Sequence, residues 1–545
     1  MKEHEADFDF IVIGAGSAGA ALAARLSESG RHRVLCLEAG VEGSNFFWSR
    51  VPVGIAKLVD NPAVNWCYSS EPDEGSGGRR IPVPRGKMLG CSSSINGMVF
   101  MRGQSQDYDH WAQLGNRGWS FEDVLPIFKK MESYDGGADA LRGRSGPLRV
   151  TDTPRHQVPL LERMIEAANN IGLPFNADLN GETQEGIGMS QVTIAKGRRQ
   201  STAYCYLDPA KDRRNLAIES GALAETLLFD GKRCVGVRYR IGRHTREARV
   251  TREVIVSGGS VNSPKILELS GIGHGERLRE LGIKPFHELP GVGENLRDHY
   301  SPRIRFAITE RNATYNDNAR GWRLAREAAK YAFFRTGFLA RTSVPLRMYF
   351  RTREGLETPD ATISVLPFMY EIVGRERKIS ATPGITMNIN VLRSESLGSI
   401  HIQSTDPTQA PAIHFNFLSS QHDRDGLVAA IRKARELMST PPIADITGEE
   451  LAPGRDKQTD EEILDWVRAT GETTYHPVGT CKMGQDPMAV VDKELRVHGL
   501  EGLRIADASI MPTLTSGNTN APSIMIGEKC AEMVLASAER AERAA

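Results

Sequence analysis

The fold is decided by residues 9–40, which read DFIVIGAGSAGAALAARLSESGRHRVLCLEAG. The apolar run at residues 9–13 predicts a buried strand, and the alanine-rich run after the glycines predicts a helix. The segment RVLCLEAG then predicts a second strand, which ends near Glu38. A strand, a helix and a second strand in this order form a βαβ unit, which is typical of a parallel sheet covered by helices.

The turn inside this unit has the spacing G-x-G-x-x-G. Gly14 permits the tight turn, Gly16 lets the backbone approach a pyrophosphate, and Gly19 allows the helix to pack closely on the strand. The phosphates of a dinucleotide would lie at the helix N-terminus, where free N–H groups favour anions. Glu38 is placed to accept hydrogen bonds from ribose hydroxyls, and an acid there disfavours NADP. The motif predicts dinucleotide binding rather than a merely tight turn, and alone it leaves FAD and NAD open.

The composition of the whole chain is that of an ordinary globular protein. It has 545 residues, of which 40% are hydrophobic and 25% are charged. Lys+Arg and Asp+Glu both number 68, so the zero net charge supports neither a nucleic-acid partner nor a polybasic membrane contact. No apolar run approaches the roughly 18 residues of an integral membrane helix. The first residues also lack the pattern of a signal peptide, so a cytoplasmic location is expected.

Cysteine usage points the same way. The seven cysteines are scattered without paired spacing, which argues against a disulfide framework and suits a reducing compartment. No C-x-x-C pair or H-E-x-x-H motif predicts a metal site. The cysteines are Cys36, Cys67, Cys91, Cys205, Cys234, Cys481 and Cys530.

Helical and strand-like segments interleave along the chain. The periodicity predicts helices at 121–134, 158–172, 422–437 and 460–469, and hairpin strands within 223–257. Further strands are predicted within 302–308 and 346–400, whereas 40–110 has the character of functional loops. This interleaving predicts two discontinuous domains. We assign 1–155, 218–300 and 465–545 to nucleotide binding, and 156–217 and 301–464 to substrate binding.

A second informative stretch is GETTYHPVGTCKMG, residues 471–484. His476 and Cys481 supply too few ligands for zinc, and nothing in the sequence activates Cys481 as a nucleophile, so we expect this cysteine to be a packing residue. An unperturbed histidine pKa of about 6.5 suits proton transfer near neutrality. From the residues alone, His476 is either a catalytic base or an ordinary histidine.

Four stretches together bear a resemblance to a known family. They are the glycine motif, RGKMLGCSSSINGMVFMRG at 85–103, GGSVNSPKILELSGIG at 258–273, and the C-terminal pair YHPVGTCKMG and ADASIMPTLTSGNTNAPSIMIGEK. In this order they resemble the glucose–methanol–choline (GMC) oxidoreductases, which are FAD-dependent alcohol oxidases and dehydrogenases. The chain looks most similar to the choline-dehydrogenase-like bacterial members. The resemblance implies an α/β fold, with a Rossmann-like FAD-binding domain and a discontinuous α+β substrate domain built on a mostly antiparallel sheet.

The resemblance also implies which residues meet the cofactor. Ile95 stands where some members attach FAD through a histidine, so noncovalent FAD is expected. Cys91 stands where members usually have a second glycine after Gly90, and we expect a small buried thiol. His299, in PGVGENLRDH, is expected to be structural. The cofactor-binding residues implied are Gly14, Gly16, Ser17, Gly19, Glu38, Ala39, Arg85, Gly90, Asn96, Gly97, Met98, Val99, Ala224, Asp507 and Ala508.

The chemistry implied is oxidation of a primary alcohol to the aldehyde. A hydride passes to the flavin N5, His476 takes the hydroxyl proton, and Asn520 donates a hydrogen bond to the alcohol oxygen. Oxygen or another acceptor then takes the electrons. Phe368 and Tyr475 are candidate walls of the substrate pocket.

Trp66 and Phe100 are weaker candidates for those walls. Four alternatives remain open at this point. They are a choline-type dehydrogenase with a non-oxygen acceptor, an FAD-containing hydroxynitrile lyase, an NAD-linked dehydrogenase and a non-catalytic nucleotide-binding module.

Overall fold

Two large sheets organise the computed structural model, which describes residues 8–43, 46–373 and 376–544. Their strands, in chain order, are β1 (Phe8–Ile13), β2 (Val34–Glu38), β3 (Gly186–Met189), β4 (Leu216–Ser220), β5 (Ala222–Asp230), β6 (Arg233–Ile241), β7 (His244–Val256), β8 (Arg303–Ile308), β9 (Leu346–Phe350), β10 (Ala361–Leu366), β11 (Gly384–Val391), β12 (Thr447–Ala452) and β13 (Leu503–Ile505). Smaller two-stranded pairs are Tyr68–Ser69 with Pro82–Val83, Glu132–Ser133 with Leu148–Arg149, Thr151–Asp152 with Gln191–Val192, Ile194–Ala195 with Arg198–Arg199, Ile272–Gly273 with His287–Glu288, Tyr300–Ser301 with Glu472–Thr473, Tyr370–Val373 with Glu376–Ile379, and Ser399–His401 with Ala412–His414.

The longer helices agree closely with the predicted ones. The four predicted at 121–134, 158–172, 422–437 and 460–469 are found within two or three residues of those limits, and the first of them gives way to a short strand after Met131. Short helices of one or two turns span Phe47–Arg50, Ile55–Leu58 and Gly275–Glu280. The longer helices are α1 (Ser17–Leu26), α2 (Ser105–Gln113), α3 (Phe121–Met131), α4 (Pro159–Asn170), α5 (Gly259–Leu269), α6 (Gly321–Phe334), α7 (Gln421–Met438), α8 (Asp460–Thr470) and α9 (Asn520–Ala544).

The first sheet is the parallel layer that the βαβ unit predicts. Its strand order is β4-β2-β1-β7-β6-β5, with β13 also paired to β7. The strands β4, β2, β1, β7 and β13 run parallel, whereas β5, β6 and β7 form an antiparallel meander. Helices cover the parallel part, so its strands are continuously apolar and buried, as Phe10–Ile13 shows.

The second sheet confirms the antiparallel layer expected for the substrate side. Its order is β12-β8-β11-β10-β9-β3, and every neighbouring pair is antiparallel. One face packs against α7, whose apolar side carries Leu427, Ile431 and Ala434. The other face is turned towards a long internal cavity, which sets the position of several polar side chains discussed below.

Each sheet has its own hydrophobic core, and the cores are discontinuous in sequence. Two segments depart from the expected division. The residues around Tyr68 and Val83 pack in the core of the second sheet, although they precede residue 155. Conversely, the segment Ala203–Leu207 contacts α1 and contributes Cys205 and Tyr206 to the first core. The domain boundaries themselves remain a prediction.

The two ends of the described chain pack together. Helix α1 lies against α9, and Arg25 forms an ion pair with the fully buried carboxylate of Glu528 at 2.8 Å. The Tyr206 hydroxyl donates to the same carboxylate. Helix α1, which follows the glycine turn of the nucleotide-binding motif, is therefore held in place by α9.

Candidate active site

A cavity of about 430 Å³ runs between the two sheets, from the carboxyl ends of the parallel strands to the inner face of the antiparallel sheet. This is where open α/β sheets bind their ligands. We call the part next to β1 and α1 the nucleotide end, and the part next to His476 and the antiparallel sheet the substrate end.

Backbone geometry shapes the nucleotide end. Gly14 has φ +104°, which favours glycine, and leads from β1 into α1. A Cβ added to Gly19 would lie 1.9 Å from the carbonyl oxygen of Gly14, so only glycine fits there. Gly16 and Ser17 line the cavity at the N-terminus of α1, where the first N–H groups of a helix have no partner within the helix. This cradle fits the pyrophosphate of a dinucleotide.

Glu38 is more constrained than the sequence suggested. Its carboxylate accepts hydrogen bonds from the backbone N–H groups of Ala15 and Gly40, at 3.1 and 2.8 Å. It also accepts from the Cys91 thiol at 3.1 Å. Burial raises the pKa of Glu38, and the Cys91 and backbone hydrogen bonds oppose that rise. Ribose hydroxyls would share a carboxylate that the protein already holds in place.

Cys91 was expected to be a small buried thiol. Its side chain does pack closely, but it has φ +43° and lines the cavity beside Glu38. Burial raises the pKa of this thiol well above its ordinary value, with the Glu38 carboxylate adding to the effect. The thiol is therefore neutral and acts as a hydrogen-bond donor that helps to orient Glu38.

The stretch from Arg85 to Val99 reaches the middle of the cavity. Asn96, Gly97, Met98 and Val99 line it, together with Ile95. The Asn96 amide oxygen accepts from the Met98 N–H at 2.9 Å and from Arg199 at 2.7 Å, which fixes the turn.

Five more of the predicted cofactor residues also line the cavity: Arg85, Ala39, Ala224, Asp507 and Ala508. Gly90 and Gly19 do not. They lie behind the wall, where Gly90 has φ +81° and donates its N–H to the carbonyl of Ala15 at 2.8 Å. They shape the loop that the cofactor would contact.

His476 lies at the substrate end, and a chain of hydrogen bonds fixes its tautomer. His299 Nε2 is 2.8 Å from the carbonyl oxygen of Leu392 and must donate to it, so its Nδ1 is an acceptor. His476 Nδ1 lies 3.0 Å from that atom and 2.8 Å from the Thr474 hydroxyl. The proton of His476 is therefore on Nδ1, and its Nε2 is unprotonated.

The other side of the imidazole gives the same assignment. Asn518 Nδ2 lies 2.9 Å from His476 Nε2. The Asn518 amide oxygen accepts from Arg347, which orients the amide so that its NH₂ group faces the histidine. His476 Nε2 is thus an acceptor in the cavity, the state that a base requires before it takes a proton.

Burial and positive charge keep this histidine neutral. Burial lowers the pKa of His476 well below its ordinary value, and His299, Arg347 and Arg85 lower it further. Burial also lowers the pKa of His299, to about 4.

Asp298 lies behind both histidines. Its carboxylate accepts from the backbone N–H groups of His476 and His299, at 2.9 and 2.7 Å. Burial raises the pKa of Asp298 to about 7, against a hydrogen bond from Thr473. His299 was expected to be structural. It positions the candidate base, because its Nδ1 accepts a hydrogen bond from His476 Nδ1.

Asn520 is not the partner of His476. The structure pairs His476 with Asn518, while the Asn520 side chain turns to the nucleotide end and accepts from the Ser17 hydroxyl at 2.7 Å. The physical reason is that Asn520 is the first residue of α9, which packs against α1, and the Ser17 hydroxyl of α1 occupies its amide oxygen. The predicted pairing lay within the right stretch but two residues away.

The expected aromatic walls divide into two groups. Phe368 and Tyr475 line the cavity at the substrate end, and Tyr475 adopts φ +69°, which places it next to His476. Trp66 also lines the cavity. Phe100 does not, because it is buried in the core of the first sheet. Cys481 is likewise buried in that core, as expected of a packing residue.

Two observations concern other kinds of site. Within the described residues, no group of three or more His, Cys, Asp or Glu side chains is arranged to hold a metal ion. None of the helices in the described ranges is both long enough and apolar enough to cross a lipid bilayer.

Comparison with known proteins identifies the class. Two sequence models described as GMC oxidoreductase match residues 8–301 and 394–527. With its glycine cradle and long cavity, the protein is an FAD-dependent oxidoreductase that acts on CH–OH groups. It belongs to the GMC oxidoreductase family, so the resemblance seen in the sequence is confirmed, and FAD rather than NAD is the cofactor.

Individual relatives agree with this class. The oxygen-dependent choline dehydrogenase of Brucella anthropi is 41% identical over 529 residues, which cover 97% of this chain and 95% of that protein. The one from Escherichia coli O139:H28 is 43% identical over 532 residues, with the same coverage.

Among solved structures, pyridoxine 4-oxidase from Mesorbium loti has a TM-score of 0.86 at 27% identity, covering 96% of this chain and 99% of that one. An FAD-dependent oxidoreductase from Chaetomium thermophilum has a TM-score of 0.89 at 27% identity, covering 98% and 100%.

Proposed function

We propose that the protein oxidises a primary alcohol to the aldehyde, with His476 as the base, and passes the electrons to oxygen or another acceptor. The observation that carries this proposal is the unprotonated Nε2 of His476, which accepts a hydrogen bond from Asn518 in the same cavity as the dinucleotide cradle. The similarity to a choline dehydrogenase and to pyridoxine 4-oxidase supports an alcohol substrate.

Each group in the site has a separate role in the proposed reaction. Bound FAD supplies the acceptor for the hydride that leaves the carbinol carbon. His476 Nε2 takes the hydroxyl proton, and the Asn518 amide donates a hydrogen bond to the oxygen as negative charge develops on it. An alcohol oxygen would occupy the position between these two groups, replacing their direct contact. His299 and Thr474 hold the imidazole so that the lone pair points into the cavity.

The way in which FAD is attached to the protein is part of the same proposal. We expect FAD to be held noncovalently, because Ile95 offers no nucleophile and lines the cavity where a tether would form. Acid precipitation of the protein should release free flavin into the supernatant. Flavin that stays with the pellet would contradict noncovalent binding.

The His476→Ala variant tests the base. Removing a general base typically lowers a rate 10²–10⁴-fold, so the rate constant for anaerobic flavin reduction by an alcohol should fall by about that factor. The flavin spectrum and content should stay unchanged. A matched control is His156→Gln, because the His156 side chain is 85% exposed. Fast flavin reduction by the His476→Ala variant in stopped flow would contradict this assignment.

Measurements of flavin reduction and reoxidation also test two rival functions, a hydroxynitrile lyase and a choline-type dehydrogenase. A hydroxynitrile lyase would leave the flavin oxidised when an alcohol is added without oxygen, whereas an oxidase or a dehydrogenase would bleach it. A choline-type dehydrogenase with a non-oxygen acceptor would be reoxidised by a dye and only slowly by oxygen. The domain division and the cytoplasmic location remain predictions.

A further inference from the structure

A row of polar side chains crosses the antiparallel sheet where it faces the cavity. Arg347 on β9 pairs with Ser364 on β10, which pairs with Asn388 on β11, which in turn pairs with Arg303 on β8. Residues paired across neighbouring strands lie on the same face, roughly 5 Å apart from one strand to the next. All four line the cavity, so they form one polar row along its substrate end.

The two arginines of this row differ in how they are neutralised. Arg303 forms an ion pair with Glu472 at 2.5 Å. Arg347 is only 4% exposed, and within the described ranges no carboxylate lies within ion-pair distance of it. One terminal nitrogen of Arg347 donates to Asn518, while its Nε has no hydrogen-bond partner among the described residues. Arg347 is therefore a buried guanidinium that lines the cavity and has no counter-ion among the residues that the structure describes.

Charged side chains of both signs line the cavity, and Lys265 and Arg85 are among its cations, each hydrogen-bonded to backbone carbonyls. Its carboxylates, Glu38 and Asp507, lie at the nucleotide end and accept hydrogen bonds from backbone N–H groups. The substrate end has the unneutralised Arg347 beside Asn518 and His476. A buried cation is costly unless it is paired, and the planar fork of arginine matches a carboxylate. A quaternary ammonium group would instead meet a like charge.

We propose that the substrate is an alcohol that also carries a carboxylate, bound by Arg347 with its hydroxyl group at His476. This inference rests on the proposed alcohol oxidation. Because Arg347 and His476 both contact the Asn518 amide, only a few carbons separate the two groups of the substrate. The carbinol carbon loses a hydride to FAD and the hydroxyl oxygen loses its proton to His476. The hydroxy acid becomes an aldehyde acid, and the flavin gains two electrons.

The test compares matched substrates in anaerobic flavin reduction. We would use a series of ω-hydroxy acids from three to six carbons, the methyl ester of each, and choline. At the best chain length the second-order reduction constant of the acid should exceed that of its ester by roughly 10–100-fold, because a charge-assisted hydrogen bond is lost in the ester. Choline should react more slowly than the acid.

The Arg347→Met variant should bring the acid-to-ester ratio to about one, and Arg347→Lys should keep part of it. The ratio is the readout because Arg347 also orients Asn518, which affects all alcohols alike. Arg351→Met, at an arginine paired with Glu185 on the protein surface, is the matched control and should leave the ratio unchanged. Flavin content and melting temperature show whether each variant is folded.

Two outcomes are distinguishable. If esters or choline reduce the flavin as fast as the acids, or if the ratio survives in Arg347→Met, the carboxylate proposal is overturned while alcohol oxidation stands. If no alcohol of any charge reduces the bound flavin, the proposed function itself is overturned, and this inference with it.

Discussion

The two ends of the cavity are built in opposite ways. The nucleotide end is made largely of backbone, with glycines at Gly14 and Gly19 and N–H groups at the start of α1, and its carboxylates are Glu38 and Asp507. The substrate end is made of side chains from separate strands and loops, among them Arg347, which has no carboxylate within ion-pair distance in the described ranges. A site made of backbone needs particular residue types at fixed spacing, so it leaves a motif in the sequence. A site made of side chains depends on strand register, which leaves none.

The largest effect is expected where the backbone is closest. In Gly19→Val the new side chain would meet the carbonyl of Gly14, with no flexible group to move aside, so we expect a cost above ~3 kcal/mol and almost no bound flavin. Gly231→Ala is the control, because its turn has open space and the substitution costs only ~1 kcal/mol for the left-handed backbone. Flavin absorbance per protein measures both. Normal flavin content in Gly19→Val would show that the nucleotide end does not depend on backbone geometry.

Next in size is the contrast between Asn518 and Asn520, which we assign to opposite ends of the cavity. Asn518→Ala should slow flavin reduction roughly 10–100-fold with unchanged flavin content, because a hydrogen bond to developing charge is lost. Asn520→Ala should weaken flavin binding about fivefold at nearly unchanged rate, since it loses the hydrogen bond from Ser17 that joins α9 to α1. Stopped-flow rates and flavin titration measure the two effects. The reverse pattern would restore Asn520 as the partner of His476.

The smallest effect concerns pH. His476 acts as a base only when neutral, and its pKa lies well below the ordinary 6.5. We therefore expect kcat/KM to stay level at neutral pH and to fall only at acidic pH, as the pH drops through the lowered pKa of His476. Arg347 is one cause of the low pKa, so in Arg347→Met the pKa of His476 rises and the acid limb moves to higher pH. The pH profile of kcat/KM with an uncharged alcohol measures this shift. A limb that moves to lower pH, or does not move, would place Arg347 too far from the base to affect it.

The same contrast explains what the sequence could predict. The parallel layer, the glycine cradle and Glu38 follow from residues close together in the chain. The role of His476 as a base followed only from the resemblance to the family and stays a prediction. The choice between Asn518 and Asn520 required the residue at which α9 begins, which sequence alone places only within a few residues.

Arg347 and His299 left even less signal. Arg347 lies in LRMYF, a strand in which every residue is buried, so no alternation of polar and apolar residues pointed to it. His299 and His476 are 177 residues apart and meet only in the folded protein. The PGVGENLRDH stretch around His299 was a signal, but its residue types are also those of a structural loop.

The packing of α1 against α9 has a consequence for biogenesis. The Ser17–Asn520 hydrogen bond joins residues 503 positions apart. At a translation rate of roughly 5–20 residues per second, the second partner is synthesised about half a minute to two minutes after the first. During that interval the apolar surface of α1 lacks its covering helix. Because α9 holds α1 at the nucleotide end, we expect flavin to be inserted late, after α9 has been synthesised.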